Sequence, residues 1–147
     1  MKILLGVDDS KFSRAAARTL RALSPPNSQV RVLHVVEPPT ALIARELAGY
    51  EADMRIIWQR QRKAAELLTT KIADQLRSPK LEAKPLVMQG DPRKKIVDVA
   101  AKWKADLIIL GCRGRKGLDR LLMGSVSEAV VHHAPCSVLV VRVGRGR

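Results

Sequence analysis

A chain of 147 residues with 46% apolar side chains is long enough for one domain with a real core, and too apolar for a disordered segment. Its two cysteines, Cys112 and Cys136, exclude a disulfide framework, and no apolar run reaches the length of a membrane span. The net charge of +13 invites a nucleic-acid reading, but the basic residues are spread along the chain and few aromatic side chains are present to stack bases.

Lys2 to Val7 is an apolar β-type run that Asp8-Asp9-Ser10 ends. The opening run is too short for a signal-peptide core, so a cytosolic location is expected. Ser10 or Ser13 can cap the helix that follows. That helix extends to about Leu23, with Phe12, Ala15, Ala16, Thr19, Leu20 and Leu23 on one face. Ser24-Pro25-Pro26-Asn27-Ser28 is a loop, and Gln29 to Val36 is the second strand. Glu37-Pro38-Pro39-Thr40 breaks the pattern, and residues 41–50 fit either a short helix or a loop. From Glu51 the pattern is helical: Met54, Ile57, Trp58, Gln61, Ala65, Leu68, Ile72 and Leu76 recur at three- and four-residue steps, as core packing requires.

Ser78-Pro79 stops that helix, and Leu81 to Met88 is the third strand. Asp91 caps the next helix with Pro92 at its first position, and Ile96, Val97, Val99, Ala100 and Trp103 line it. A buried strand follows Asp106. The last helix starts at Ser125 and holds Val126, Ala129, Val130 and His133, until Ala134-Pro135 ends it. Ser137 to Val143 is the fifth strand. Strands apolar almost throughout, alternating with helices, predict an α/β fold with a parallel sheet covered on both faces.

The remaining polar groups are weighed by position. His34, inside a strand, reads as a satisfied core histidine rather than a ligand. His132 and His133 are adjacent on a helix, a poor metal pair. Arg14, Arg18 and Arg21 recur at helical spacing, and with Arg60, Arg62 and Lys63 they read as solvated helix faces. Arg142, Arg145 and Arg147 close the chain.

Chemistry concentrates between Leu107 and Val126. An apolar strand leads into Gly111, Gly114 and Gly117, a basic loop, and Gly124-Ser125 at the head of a helix. Glycines allow close backbone approach, and the first N–H groups of a helix face an anion. Ser125 adds a hydroxyl; Arg113, Arg115 and Lys116 add charge. Ordinary turn glycines are the alternative. A loop of about a dozen residues between strand and helix, rich in both glycine and base, favours the phosphate reading. Neither GxxxxGK[ST] nor GxGxxG is present.

The spacing G-x2-G-x9-G-[ST] resembles the nucleotide-binding motif of the ATP-binding branch of the universal stress proteins. The opening KILLGVDDS, Leu33-His34-Val35, Gly90-Asp91-Pro92, Ala105-Asp106-Leu107 and His133-Ala134-Pro135-Cys136 fit the same family, across nearly the whole chain. The resemblance implies one domain over residues 1–147, an open Rossmann-like five-stranded sheet of order 3-2-1-4-5, and a ligand at the switch between strands one and four. It places Gly6, Val7 and Val35 at the adenine or ribose, with Leu110 packed nearby. Gly111, Gly114, Gly124, Ser125 and Val126 would hold the phosphates. Arg113 and Lys116 would pair with phosphate charge or stand as exposed loop cations.

Asp8 would contact the nucleotide or a magnesium ion, or else simply cap its turn. Asp9 departs from the glycine common in the family. The implied cofactors are ATP and Mg2+, and the implied partner is a second copy, paired through the edge strand Val138–Val141. The implied activity is that of a nucleotide-dependent stress regulator or sensor with at most slow hydrolysis, acting without a membrane. Two other readings stand beside it. One is a scaffold or nucleic-acid-binding protein that uses the basic surface. The other is an adenylating enzyme resembling the PP-loop group, whose SGGxDS is here GVDDS.

Overall fold

The computed structural model describes residues 1–39, 51–112 and 123–143, with side chains along the second helix from Met54 onward. Five strands, β1 Lys2–Gly6, β2 Ser28–Val36, β3 Leu81–Gln89, β4 Leu107–Gly111 and β5 Ser137–Val141, form one parallel sheet of order β3-β2-β1-β4-β5. Four helices are described: α1 Lys11–Leu23, α2 Glu51–Leu76, α3 Pro92–Trp103 and α4 Ser125–His133. Residues 41–50 and the tail arginines Arg145 and Arg147 lie outside the described residues.

Alternate residues of each strand face opposite sides, and the two sides carry two cores. Ile3, Leu5, Val30 and Val32 pack with Ala16 and Leu20 of α1 and with Ile72, Ala73 and Leu76 of α2. Leu4, Leu33, Ile108 and Leu110 pack with Ile96 and Ala100 of α3 and with Val130 of α4. Each large aliphatic side chain fully buried in this way contributes about 1.5–3 kcal/mol. Leu4, Leu5, Leu20, Val32, Ile108 and Val130 are all at 0% exposure, so the sheet is covered on both faces as the sequence predicts.

Three details differ from the periodicity. Leu23 keeps the spacing of the α1 face but is 65% exposed. It is the last residue of the helix, and Ser24 ends it through its N–H and hydroxyl on the Leu20 carbonyl. Gln61 of α2 is exposed, whereas Thr69 is fully buried, its hydroxyl donating to the Ala65 carbonyl at 2.9 Å. The fifth strand ends at Val141, not Val143.

The two sheet edges differ. β3 carries Pro85 and an exposed Lys84–Glu82 ion pair at 2.7 Å, features that discourage strand pairing. β5, SVLVV, has neither proline nor charge, and Val138, Leu139 and Val140 are half-buried.

Candidate functional site

Parallel register fixes which strand ends meet. Leu5 of β1 pairs with Ile109 of β4, and Gly6 pairs with Leu33 of β2. Val7 extends this ladder by donating its N–H to the Leu33 carbonyl at 2.8 Å. Gly6, Val7 and Val35 therefore stand at the carboxyl ends of adjacent strands, with Leu110 buried beside them. A methyl group at Gly6 would collide with the Leu110 side chain, so the missing Cβ there is also a packing requirement.

The turn after β1 is held by its own side chains. Ser10 is the N-cap of α1, and its hydroxyl accepts from the Ser13 N–H at 3.2 Å. The Ser13 hydroxyl accepts from the Asp8 N–H at 2.8 Å and donates to Asp8 Oδ1 at 2.5 Å. The Ser10 N–H also donates to Asp8 Oδ1, at 3.2 Å. Asp8 thus does what a turn aspartate does. Asp9 points outward, 3.6 Å from Arg14, with both side chains mostly exposed. His34 Nδ1 lies 2.7 Å from the Val7 carbonyl. A carbonyl only accepts, so Nδ1 carries the hydrogen, and His34 is a satisfied strand histidine.

The end of β4 meets this turn. A Cβ on Gly111 would come within 2.7 Å of Phe12 Cβ and 2.8 Å of the Phe12 backbone carbon. Gly111 is thus where the first turn of α1 packs onto β4, and the β1 and β4 clusters converge, as the switch-point argument requires. Beyond it, the Cys112 N–H donates to the Val141 carbonyl at 2.8 Å. The Cys112 carbonyl in turn accepts from the Gly124 N–H at 2.8 Å and from the Ser127 hydroxyl at 3.1 Å. The two described ends of the glycine loop are therefore tied to each other. Arg113, Gly114 and Lys116 lie outside the described residues.

The start of α4 differs from the starts of α1 and α3. Its N-cap is Gly124, in extended backbone, and no side chain among the described residues caps it, whereas Ser10 caps α1 and Asp91 caps α3. Ser125 is exposed and Val126 half-buried on the first turn. An uncapped helix start concentrates unpaired donors and the positive end of the dipole. Ser127 faces inward and also donates to the Gly124 carbonyl at 2.9 Å. The sequence reading missed Ser127, took Phe12 only as part of the apolar face of the first helix, and took Ser13 only as a possible cap. The signal available was a serine three residues beyond the N-cap in both α1 and α4.

Magnesium needs oxygen ligands, typically one or two carboxylates together with phosphate oxygens. No cluster of three or more His, Cys, Asp or Glu side chains occurs among the described residues. A magnesium ion at this turn would meet the Asp8 carboxylate, whose Oδ1 already accepts from Ser10 and Ser13. Neither cysteine is bonded to a partner sulfur; Cys136 is at the opposite end of the sheet, where burial and then the charge of Asp106 push its thiol pKa up.

A parallel 3-2-1-4-5 sheet with helices on both faces defines an open α/β domain. The universal stress protein family model matches residues 1–142, and the chain belongs to that family. Universal stress protein Sll1388 of Synechocystis sp. is 30% identical over 96% of this chain and 97% of its own. Among solved structures, hypothetical protein MJ0577 is similar at TM-score 0.85 and 27% identity, over 99% of this chain and 97% of the other. A universal stress family protein of Arabidopsis thaliana, At3g01520 with AMP bound, shares the fold at TM-score 0.68 and 19% identity, over 98% of this chain and 92% of the other.

Proposed function

We propose that this chain binds ATP with magnesium across the carboxyl ends of β1 and β4 and acts as a nucleotide-dependent stress regulator or sensor. The observation that carries this reading is the start of α4. Glycine is its N-cap, no side chain caps it among the described residues, and hydrogen bonds hold it to the end of β4. The AMP held by the Arabidopsis relative supports an adenine nucleotide as the ligand. Gly6, Val7 and Val35 would present backbone to the base and ribose. Gly111, Gly114, Gly124, Ser125 and Val126 would hold the phosphates, and Arg113 and Lys116 would balance their charge. Asp8 would supply a carboxylate oxygen to the magnesium ion.

Hydrolysis in this reading is at most slow. Asp8 and His34 are both committed to backbone and serine partners at the β1 turn, so neither is poised as a general base. The chain would act in the cytoplasm as a homodimer. The uncharged, half-buried edge β5 would pair with its own copy across a two-fold axis, an option that Pro85 and the Lys84–Glu82 pair discourage at β3.

The test is to denature the purified protein and resolve the released small molecules by anion exchange with mass detection. ATP or ADP near one per chain is the expected result. No nucleotide, together with no thermal shift on adding Mg-ATP, overturns the reading and leaves the glycine loop a structural connection.

A further inference from the structure

We propose that the outer surface of α1 is a docking strip for the phosphate backbone of a nucleic-acid duplex, independent of the nucleotide site. Lys11, Arg14, Arg18 and Arg21 follow one another at steps of three, four and three residues, which places them on one stripe of the helix. All four are exposed, and they lie opposite the buried Ala16 and Leu20. The helix KFSRAAARTLRAL contains no acid at all. Like charges at these spacings repel one another, and Lys11 in the first turn opposes the helix dipole. Folding requires none of this, because the apolar face already anchors the helix. By contrast, α3 is also rich in lysine but carries Asp98 within it and Asp91 as its cap.

The dimensions fit a phosphate backbone. At about 1.5 Å per residue the row spans roughly 15 Å, and one strand of a duplex offers a phosphate per ~3.4 Å of axis. Four cations therefore face about four phosphates. Asp9 reaches Arg14 only at 3.6 Å, and Arg18 and Arg21 have no carboxylate partner among the described residues. α2 packs on the same face of the sheet, and its Arg60 and Lys63 are exposed.

The chemistry selects a duplex over two other anionic surfaces. Single strands need aromatic platforms, but Phe12, Trp58 and Trp103 are all half-buried. Insertion into a bilayer interface needs a continuous apolar patch. The exposed Ile56 and Leu67 of α2 are separated by Arg60 and Lys63, so they do not form one.

The experiment measures fluorescence anisotropy of a labelled mixed-sequence DNA duplex of about twenty base pairs across a salt series. It compares wild type, an Arg18→Gln/Arg21→Gln double variant, and a Lys94→Gln/Lys102→Gln double variant on α3 that removes the same charge. Circular dichroism confirms that each is folded. The α1 double variant is expected to lower the log–log salt slope by about 2 and to weaken binding at least tenfold or so near physiological salt. The α3 control should change affinity by less than about threefold. Added Mg-ATP should leave the wild-type curve unchanged. Equal losses in the two variants would mean that bulk charge alone acts, and would overturn the proposal. So would an absence of salt-dependent duplex binding, or a preference for anionic phosphatidylglycerol vesicles that Leu67→Ser abolishes.

Discussion

α1 and α4 both begin at the carboxyl end of the sheet, one after β1 and the other after β4. At the start of α1, two serines and an aspartate bond to one another, through four hydrogen bonds among the Asp8, Ser10 and Ser13 groups. At the start of α4, a glycine occupies the cap, and the serine three residues on turns inward to the Cys112 and Gly124 carbonyls instead of outward. The same fold position thus carries a side-chain cap in one case and, among the described residues, none in the other. Helix starts satisfied from within serve stability; one held rigidly but without a side-chain cap can take a phosphate.

The sharpest break of that contrast is Gly124→Asp. Aspartate is a good N-cap, so urea unfolding should show unchanged or slightly raised stability, by up to about 1 kcal/mol. The new carboxylate would occupy the donors and repel phosphate, so calorimetric titration with Mg-ATP should show affinity down about a hundredfold, roughly 3 kcal/mol. Equal affinity in the variant would remove the start of α4 from the site.

Ser13→Ala tests the capped end. It leaves the Asp8 N–H and carboxylate short of a partner in a half-buried turn, at a cost of about 1–3 kcal/mol. The melting temperature should fall by several degrees, roughly 2–4 °C per kcal/mol for a domain of this size.

Asp91→Ala removes the side-chain cap of α3 and should cost about 1 kcal/mol at neutral pH. The Arg93 side chain, hydrogen-bonded to the Asp91 carboxylate, holds that carboxyl below its ordinary value of 3.8. A group whose folded pKa is depressed stabilises above its unfolded pKa and loses that contribution as pH falls through the folded value. Wild type and variant should therefore converge in stability only as the pH is taken below about that ordinary value.

The smallest effect belongs to Lys104, which caps the end of α3 in left-handed backbone with φ 56° and ψ 55°. Glycine fits that conformation without a Cβ penalty, so Lys104→Gly should stabilise by about 0.5–1 kcal/mol in urea unfolding, less what the unfolded chain gains in freedom.

Much of this was legible in the chain because its physics is local. Strand and helix periods, the Ser10 and Asp91 caps, and the stop at Ala134-Pro135 depend on residues within a turn or two of one another. Leu23 and Gln61 broke the pattern because periodicity continues along a helix whether or not a packing partner lies beneath it. Thr69 was missed because a hydroxyl that bonds back to Ala65 can be buried at no polar cost, which a hydropathy pattern does not show.

The sequence by itself determined the elements, their alternation and hence a parallel two-faced sheet, together with the glycine spacing that points to a phosphate. The tertiary structure alone decided what those groups meet. It showed that Gly6 and Gly111 make room for Leu110 and Phe12, that Asp8 is engaged by Ser13, and that the ends of the glycine loop are tied through Cys112 and Gly124. Those contacts join residues far apart in the chain, and their geometry follows from strand order and register, which no local preference encodes.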